Sequence, residues 1–181
     1  MVYDFFKTNL LQVINAWPHI AALGGLFFII NLFFLKTSRT RHECIRGKSL
    51  ICVAFLALSE GLILAMTLSG REPGEERHFR FWPFWSYRAA FLWGQKELGI
   101  QIISNILLFM PLGAALPLNF RWFFRLRRTI IFCMLLSVSI EIFQGITGMG
   151  LCETDDMIGN SAGGILGYGI WFFCREKVKI W

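Results

Sequence analysis

Six polar side chains lie in or beside otherwise apolar stretches, and they are the residues best able to bind a ligand or do chemistry. A charged side chain at the centre of a membrane span costs about 2.5 to 3.5 kcal/mol on insertion scales. Residues kept at that cost usually pair with one another or serve a function. We therefore predict a site near one membrane face, the polar cluster, made of Asn105, Glu141, Gln144, Asp155, Asp156 and Asn160.

Glu141 is the member of this cluster best suited to acid–base chemistry. It is predicted to lie about 9 Å below the outer edge of its span, at the helical rise of 1.5 Å per residue. A carboxylate at that depth must be protonated, paired or hydrated. Arg80 and Arg88 are candidate partners from the preceding outer connection. The alternative is that Glu141 has only a structural role and holds helices together. The corresponding alternative for Asn105 is a structural hydrogen bond between helices.

The loop at 148–156 contains three acids and no base. Asp155 and Asp156 come directly before the fifth apolar stretch, and carboxylates are favoured at a helix N-terminus by the exposed amides and the dipole. Capping explains one of the two. Together with Glu153 they could bind a hard cation through oxygen atoms. No ligand spacing indicates a metal site, and no motif indicates a cofactor.

Membrane helices are the elements that would position these residues. The 181-residue chain is 55% hydrophobic, against about 45–50% for typical soluble domains. A helical span needs about 20 residues. We therefore predict an all-α, polytopic helical bundle, a single membrane domain over residues 1–181. Its five spans would be 19–35, 50–68, 100–118, 129–147 and 157–173. Residues 5–17 are either a short interfacial helix or a frayed terminus.

Basic residues set the predicted orientation. The segments 36–49 and 119–128 and the C-terminal tail carry most of the 18 Lys and Arg residues. By the positive-inside rule this side is cytoplasmic, which gives an N-out/C-in topology. The formal net charge of +6 is then a topology signal. It gives little reason to expect nucleic acid as a partner.

The outer connection at 69–99 ends in a segment dense in aromatic residues. Trp, Tyr and Phe are favoured at the level of the lipid headgroups. One interpretation is a belt at the membrane surface. The other is a lid over the polar cluster, with a rigid tip formed by Trp82, Pro83 and Phe84.

A glycine ridge and one further acid complete the candidates within the spans. Close helix packing is predicted for the fifth span, where small residues recur every four positions at Gly159, Gly163 and Gly167. Glu60 lies in the middle of the second span, where it is either a proton site or a hydrogen-bond partner of Ser59 or Asn31. The five cysteines show no metal-ligand spacing, and only Cys152 is predicted outside, so disulfides are not expected.

Three stretches resemble the VanZ-like family of bacterial membrane proteins. They are NILLFMPLGAALP from Asn105, SIEIFQ from Ser139 and CETDDMIGNSAGGILGYG from Cys152, and WPF at 82–84 is similar to a short element that precedes them. The resemblance covers roughly residues 80–173. It implies a multi-pass protein of the bacterial cytoplasmic membrane, in a family linked to low-level resistance to teicoplanin. The matching positions are Asn105, Phe109, Pro111, Gly113, Glu141, Gln144, Asp155, Asp156, Asn160, Gly163, Gly164 and Gly167.

This chain departs from the resemblance at one place. Relatives often have a basic residue shortly before the stretch that begins at Cys152, whereas Met149-Gly150-Leu151 supplies none. If that base pairs with an acid in relatives, its counterpart here must come from elsewhere in the chain or be absent.

Three classes of function remain open. The first, which we favour, is a non-enzymatic envelope protein that binds a membrane lipid or a lipoglycopeptide at the outer leaflet. The second is a small membrane enzyme acting on an envelope lipid or a lipid-linked envelope precursor, with Glu141 as acid or base and Asn105, Gln144 and Asn160 orienting the substrate. The third is a structural partner subunit that packs through the glycine ridge. The cluster lacks Ser–His, Cys–His and His–metal arrangements, and no inverted repeat suggests a transporter.

Overall fold

The computed structural model describes residues 2–37, 49–68 and 78–178. These residues form six α-helices, one 3₁₀ helix and two short strands. The helices are α1 (Val2–Thr37), α2 (Ser49–Leu68), α3 (Trp85–Leu92), α4 (Lys96–Asn119), α5 (Leu126–Thr147) and α6 (Thr154–Val178). The strands are β1 (His78–Arg80) and β2 (Leu151–Glu153), and the 3₁₀ helix Arg121–Phe124 joins α4 to α5.

Four of the described helices are long and apolar enough to cross a membrane, in the stretches Asn15–Phe33, Leu50–Leu68, Lys96–Asn119 and Leu126–Thr147. They contain the first four predicted spans, which confirms an all-α polytopic bundle. The fifth predicted span lies in α6, whose glycines and polar first turns lower its hydropathy. Because Gly159 lies against Asn105 and Gly167 against Met110, α6 runs parallel to α4. Helix α6 therefore packs alongside α4 over several turns.

Three segments differ from the sequence-based expectation. Residues 5–17 belong to the continuous helix α1 rather than to a separate interfacial helix. The outer connection and the 148–156 loop each contain a strand, and β1 pairs with β2 in parallel, with Arg80 opposite Glu153. These two residues are 73 positions apart in sequence. Periodicity along the chain cannot reveal a pairing between such distant segments.

The two ends of the bundle differ in chemistry. The basic end contains the 3₁₀ helix and its neighbours, with Arg121, Arg125, Arg127, Arg128 and Arg175. The predicted C-in orientation places this end in the cytoplasm by the positive-inside rule, and it stays a prediction. The polar end contains β1, β2, α3 and the first turns of α4 and α6. Most of the predicted basic loop at 36–49, the charged stretch at 69–77 and the last residues of the tail lie outside the described residues.

The glycine ridge of α6 packs on α4. A Cβ atom added at Gly163 would meet the carbonyl oxygen of Ile106, and one at Gly167 would meet the carbonyl oxygen of Met110. Small residues allow this approach, which stabilises helix association in a membrane through van der Waals contacts. Because α4 covers the ridge, the ridge is not available to a partner subunit, as the partner-subunit interpretation requires.

Helix α4 is also central to the apolar core. Phe109 and Leu112 are fully buried against Leu56 and Ile63 of α2 and Ile140 of α5. At the side of the bundle, α1 packs on α2, and Asn31 donates a hydrogen bond of 2.9 Å from Nδ2 to Oε2 of Glu60. Asn31 is therefore the partner of Glu60, one of the two residues considered for it.

Candidate functional site

An ion pair between the two strands forms the centre of the polar end. Arg80 Nη1 lies 2.8 Å from Oε1 of Glu153, whose side chain is 3% exposed. The Arg80 guanidinium also lies over the ring of Trp85, 4.0 Å from its centroid. Of the two candidate partners of Glu141, Arg80 therefore binds Glu153 instead, and the side chain of Arg88 is exposed. Relatives often have a basic residue just before the stretch that begins at Cys152, and Met149–Leu151 contains none. Arg80, from a distant segment, places a basic side chain beside that stretch.

Glu141 connects α5 to β2. Its Oε2 atom accepts a hydrogen bond of 2.8 Å from the backbone N–H of Glu153, and the residue is 3% exposed. Burial raises the pKa of the neighbouring Cys152 thiol, and the Glu141 carboxylate raises it further. A thiol must lose its proton to act as a nucleophile, so Cys152 is poorly suited to that role. These contacts favour Glu141 as a residue that positions β2.

Asp155 fastens the start of α3 to the start of α6. Its two carboxylate oxygens accept hydrogen bonds from the backbone N–H groups of Phe84, at 2.5 Å, and of Ser86, at 2.6 Å. Asp155 thus binds the first backbone N–H groups of α3, although it lies in the first turn of α6. That one of Asp155 and Asp156 caps the fifth span stays a prediction. Phe84 has a left-handed backbone with φ of 63°, a conformation that costs a non-glycine residue about 1–2 kcal/mol. The carboxylate offsets this cost.

The aromatic tip is held by its backbone while its side chains point outward. Trp82 is 70% exposed, and Phe81, Pro83 and Phe84 are exposed as well. Side chains that cover a polar cluster would lose most of this exposure on contact. The placement of Trp82, Pro83 and Phe84 therefore fits the surface-belt interpretation better than the lid.

Gln101 links two of the acids. Its Nε2 atom donates to Asp156 Oδ1 at 3.0 Å and lies 3.3 Å from Oε2 of Glu153. Burial and the nearby carboxylates of Asp155 and Asp156 raise the pKa of Tyr87, which keeps its phenol neutral. Among the described residues no three His, Cys, Asp or Glu side chains form a group that suits a metal ion. The acids instead accept hydrogen bonds, and Glu153 and Asp156 share Gln101 as a donor.

The three amides of the polar cluster differ in their partners. Gln144 donates from Nε2 to the carbonyl oxygen of Thr67 at 2.8 Å, which ties α5 to the end of α2. Asn160 donates from Nδ2 to Ser137 Oγ at 2.8 Å, which ties α6 to α5. Asn105 lies against Gly159, and its buried Nδ2 has no hydrogen-bond partner among the described residues. Each amide is thus placed at a boundary between helices.

The structure therefore brings the six predicted residues to one end of the bundle, where most of them connect different pairs of elements. Gln101 and Ser137 belong to the same network and were missed by the sequence analysis. Each lies four residues before a predicted member, Asn105 and Glu141 respectively, so helical spacing could have identified them. Nothing in the sequence indicates that the backbone of Thr67 takes part.

An open cavity lies beside the ion pair. Its volume is about 510 Å³, within the range of about 300–1,000 Å³ typical of small-molecule sites. The lining includes Arg80, Trp85, Lys96, Glu97, Gln101 and Glu153. The chain segment that forms one wall, 79–93, also carries the exposed aromatic residues Phe79, Phe81, Trp82, Phe84, Phe91 and Trp93.

Comparison with known proteins agrees with the motif resemblance and extends it toward the N-terminus. The sequence profile of the VanZ/LLP1 family matches residues 26–175. Protein VanZ from Enterococcus faecium is 34% identical over 79 residues, which cover 44% of this chain and 48% of the relative. The matched part thus spans about half of that relative. No solved structure matches the chain. Since the profile covers most of the sequence and the helices fit a polytopic bundle, this membrane protein belongs to the VanZ/LLP1 family.

Proposed function

We propose that this protein binds an amphiphile at the polar end, on the outer side of the bacterial cytoplasmic membrane, and does not transform it. The amphiphile is a membrane lipid or a lipoglycopeptide of the teicoplanin type. The observation that carries the proposal is the open cavity, with charged side chains in a partly apolar wall, next to an exposed aromatic segment. A polar headgroup fits the cavity, while an acyl chain remains beside the aromatic rings in the bilayer.

The exposed rings support contact with lipid at this end. Phe91 is 80% exposed, and Trp93 and Leu92 beside it are also exposed. Aromatic rings are favoured at the headgroup level because their apolar body and polar edge suit a boundary between lipid and water. An amphiphile bound in the cavity would have its headgroup close to this boundary. Its acyl chain would then stay in the surroundings that it prefers.

The surroundings of Glu141 support binding rather than catalysis. A general acid or base must come within hydrogen-bond distance of its substrate. Glu141 is buried, binds the backbone N–H of Glu153, and is not among the residues that line the cavity. Asp155 also uses both carboxylate oxygens to hold α3. Glu141 and Asp155, two acids that the sequence suggested for chemistry, thus form structural hydrogen bonds.

A resistance assay with two variants of Glu141 tests this proposal. A Gram-positive host that expresses the protein is expected to tolerate more teicoplanin than a host with an empty vector. Glu141→Gln should protect as well, because an amide oxygen can accept the hydrogen bond from Glu153. Glu141→Ala should lose protection, because it leaves a buried N–H unpaired at about 1–3 kcal/mol. The measurement is the minimal inhibitory concentration at matched membrane levels.

A glycopeptide that lacks an acyl chain is the control compound, and protection against it should be weaker. Loss of protection in Glu141→Gln with normal membrane levels would contradict the proposal and favour the enzyme. Absence of protection by the wild-type chain would remove teicoplanin-type compounds as ligands. Saturable binding of teicoplanin to the purified protein, with the compound recovered intact, would give independent support.

A further inference from the structure

The cavity beside the ion pair permits a more specific assignment, which rests on the proposed function. We propose that it binds a zwitterionic phospholipid headgroup that combines a phosphate with a primary ammonium, as in ethanolamine lipids. Lys96 and the exposed edge of Arg80 bind the phosphate. Glu97 accepts a hydrogen bond from the ammonium group.

The charges in the lining are the first argument. Arg80 and Glu153 neutralise each other, and both oxygens of Glu153 accept hydrogen bonds, from Arg80 and from Gln101. Lys96 and Glu97, by contrast, have no ion-pair partner in the part of the chain that the structure describes. Within the described residues, the cavity thus offers one free cation and one free anion side by side. A ligand with two opposite charges satisfies both.

The geometry around Lys96 favours an anion. Lys96 is the first residue of α4, and the side chain of the preceding Gln95 makes no capping hydrogen bond. The first N–H groups of a helix lack partners within it and attract negative charge. The Arg80 guanidinium, whose side chain is 33% exposed, is held in place by Glu153 and Trp85. Lys96 and the helix start thus place positive charge on the cavity, and the Arg80 guanidinium, neutralised by Glu153, adds N–H donors to it.

The geometry around the second charge favours a primary ammonium over a quaternary one. Glu97 is a hydrogen-bond acceptor, and a trimethylammonium group has no N–H to donate. A quaternary ammonium is usually recognised by aromatic faces. Arg80 already covers one face of Trp85, an aromatic residue of the lining, and Trp93 packs against the same ring with 6.2 Å between the centroids. A choline headgroup therefore gains less in this cavity than an ethanolamine headgroup does.

Calorimetric titration of the purified full-length chain in detergent tests the assignment. The probes are water-soluble dihexanoyl phospholipids with ethanolamine, glycerol or choline headgroups. The ethanolamine lipid should bind saturably and about tenfold more tightly than the other two, a difference of about 1.4 kcal/mol. Glycerophosphoethanolamine, which lacks acyl chains, should bind more weakly than the lipid. Equal affinity for this compound would overturn the assignment to a lipid and indicate a soluble ligand.

Two cavity variants and one control separate the parts of the headgroup. Lys96→Gln should weaken binding of the ethanolamine and glycerol lipids alike, by about tenfold. Glu97→Gln should reduce the affinity for the ethanolamine lipid to that for the glycerol lipid. Arg125→Gln, an exposed residue at the basic end, should change neither. Equal affinity of the wild type for all three lipids, or no effect of either cavity variant, would overturn the assignment.

This experiment and the resistance assay can fail separately. Protection against teicoplanin without discrimination among the three lipids would overturn the headgroup assignment and leave the proposed function intact. If the protein discriminates among the three lipids as expected but gives no protection against teicoplanin, the headgroup assignment would be supported. Only teicoplanin would then be removed as a ligand. Failure of the ethanolamine lipid and of teicoplanin to bind would overturn both proposals.

Discussion

Replacing Gly163 with leucine is expected to abolish accumulation of the folded protein in the membrane. A Cβ atom at this position would meet the carbonyl oxygen of Ile106, and the main-chain atoms of a packed helix cannot move aside as a flexible side chain can. Overpacking a core typically costs about 1–3 kcal/mol, occasionally more. A clash with backbone belongs to the upper part of this range. The added side chain would separate α6 from α4 and thereby remove Asp156 from Gln101.

The measurement is the yield of monodisperse protein after solubilisation, together with its thermal unfolding temperature. Gly169→Leu is the matched control, because it lies in the same helix and a Cβ there would have nothing within 4 Å. The control is expected to behave as the wild type. Equal yield and thermal stability for the two variants would show that close contact between α4 and α6 is not required.

Replacing Asp155 with alanine is expected to release the start of α3 while the helical bundle stays folded. The change removes the acceptor for two backbone N–H groups, one of which belongs to Phe84 in its left-handed conformation. An unsatisfied buried donor costs about 1–3 kcal/mol. Amide hydrogen exchange in the segment 84–93 should therefore accelerate by about tenfold or more, since about 1.4 kcal/mol corresponds to a factor of ten. Protection against teicoplanin should fall with it.

Hydrogen exchange followed by mass spectrometry measures this effect peptide by peptide. Asp155→Asn should give an intermediate result, because the amide keeps one acceptor oxygen and places an N–H₂ group where the second stood. Asp156→Asn, one residue away, keeps an acceptor for Gln101 and should leave α3 unchanged. Unaltered exchange in Asp155→Ala, or an equal effect of Asp156→Asn, would contradict the fastening role.

The sequence predicts those features that depend on local composition and spacing. Blocks of apolar residues indicate the spans, and the regular glycines of α6 indicate where it approaches another helix. Depth along a span brings Glu141 and Asn160 to one end because helical rise is constant. The pairing of Asn31 with Glu60 could also be anticipated, since polar side chains on adjacent spans tend to find each other.

The partners of the acids could not be predicted, because they depend on contacts between distant segments. Arg80 was a reasonable partner for Glu141 by charge and depth. The parallel register of β1 and β2 instead places it opposite Glu153. Asp155 has the sequence position of a helix cap, and only the docking of α3 shows which backbone N–H groups it binds. The cavity also lay beyond prediction, since its lining comes from both strands, α3 and α4.

The parallel pairing of β1 with β2 has a consequence for biogenesis. Chains are made from the N-terminus, so Arg80 and the start of α3 leave the ribosome well before β2 and the start of α6. Until those later segments arrive, the guanidinium of Arg80 lacks its carboxylate and the N–H of Phe84 lacks its acceptor. The polar end is thus completed only once α6 has been inserted. A chain stalled after α5 would present these unpaired groups and its loose aromatic segment to membrane quality-control proteases.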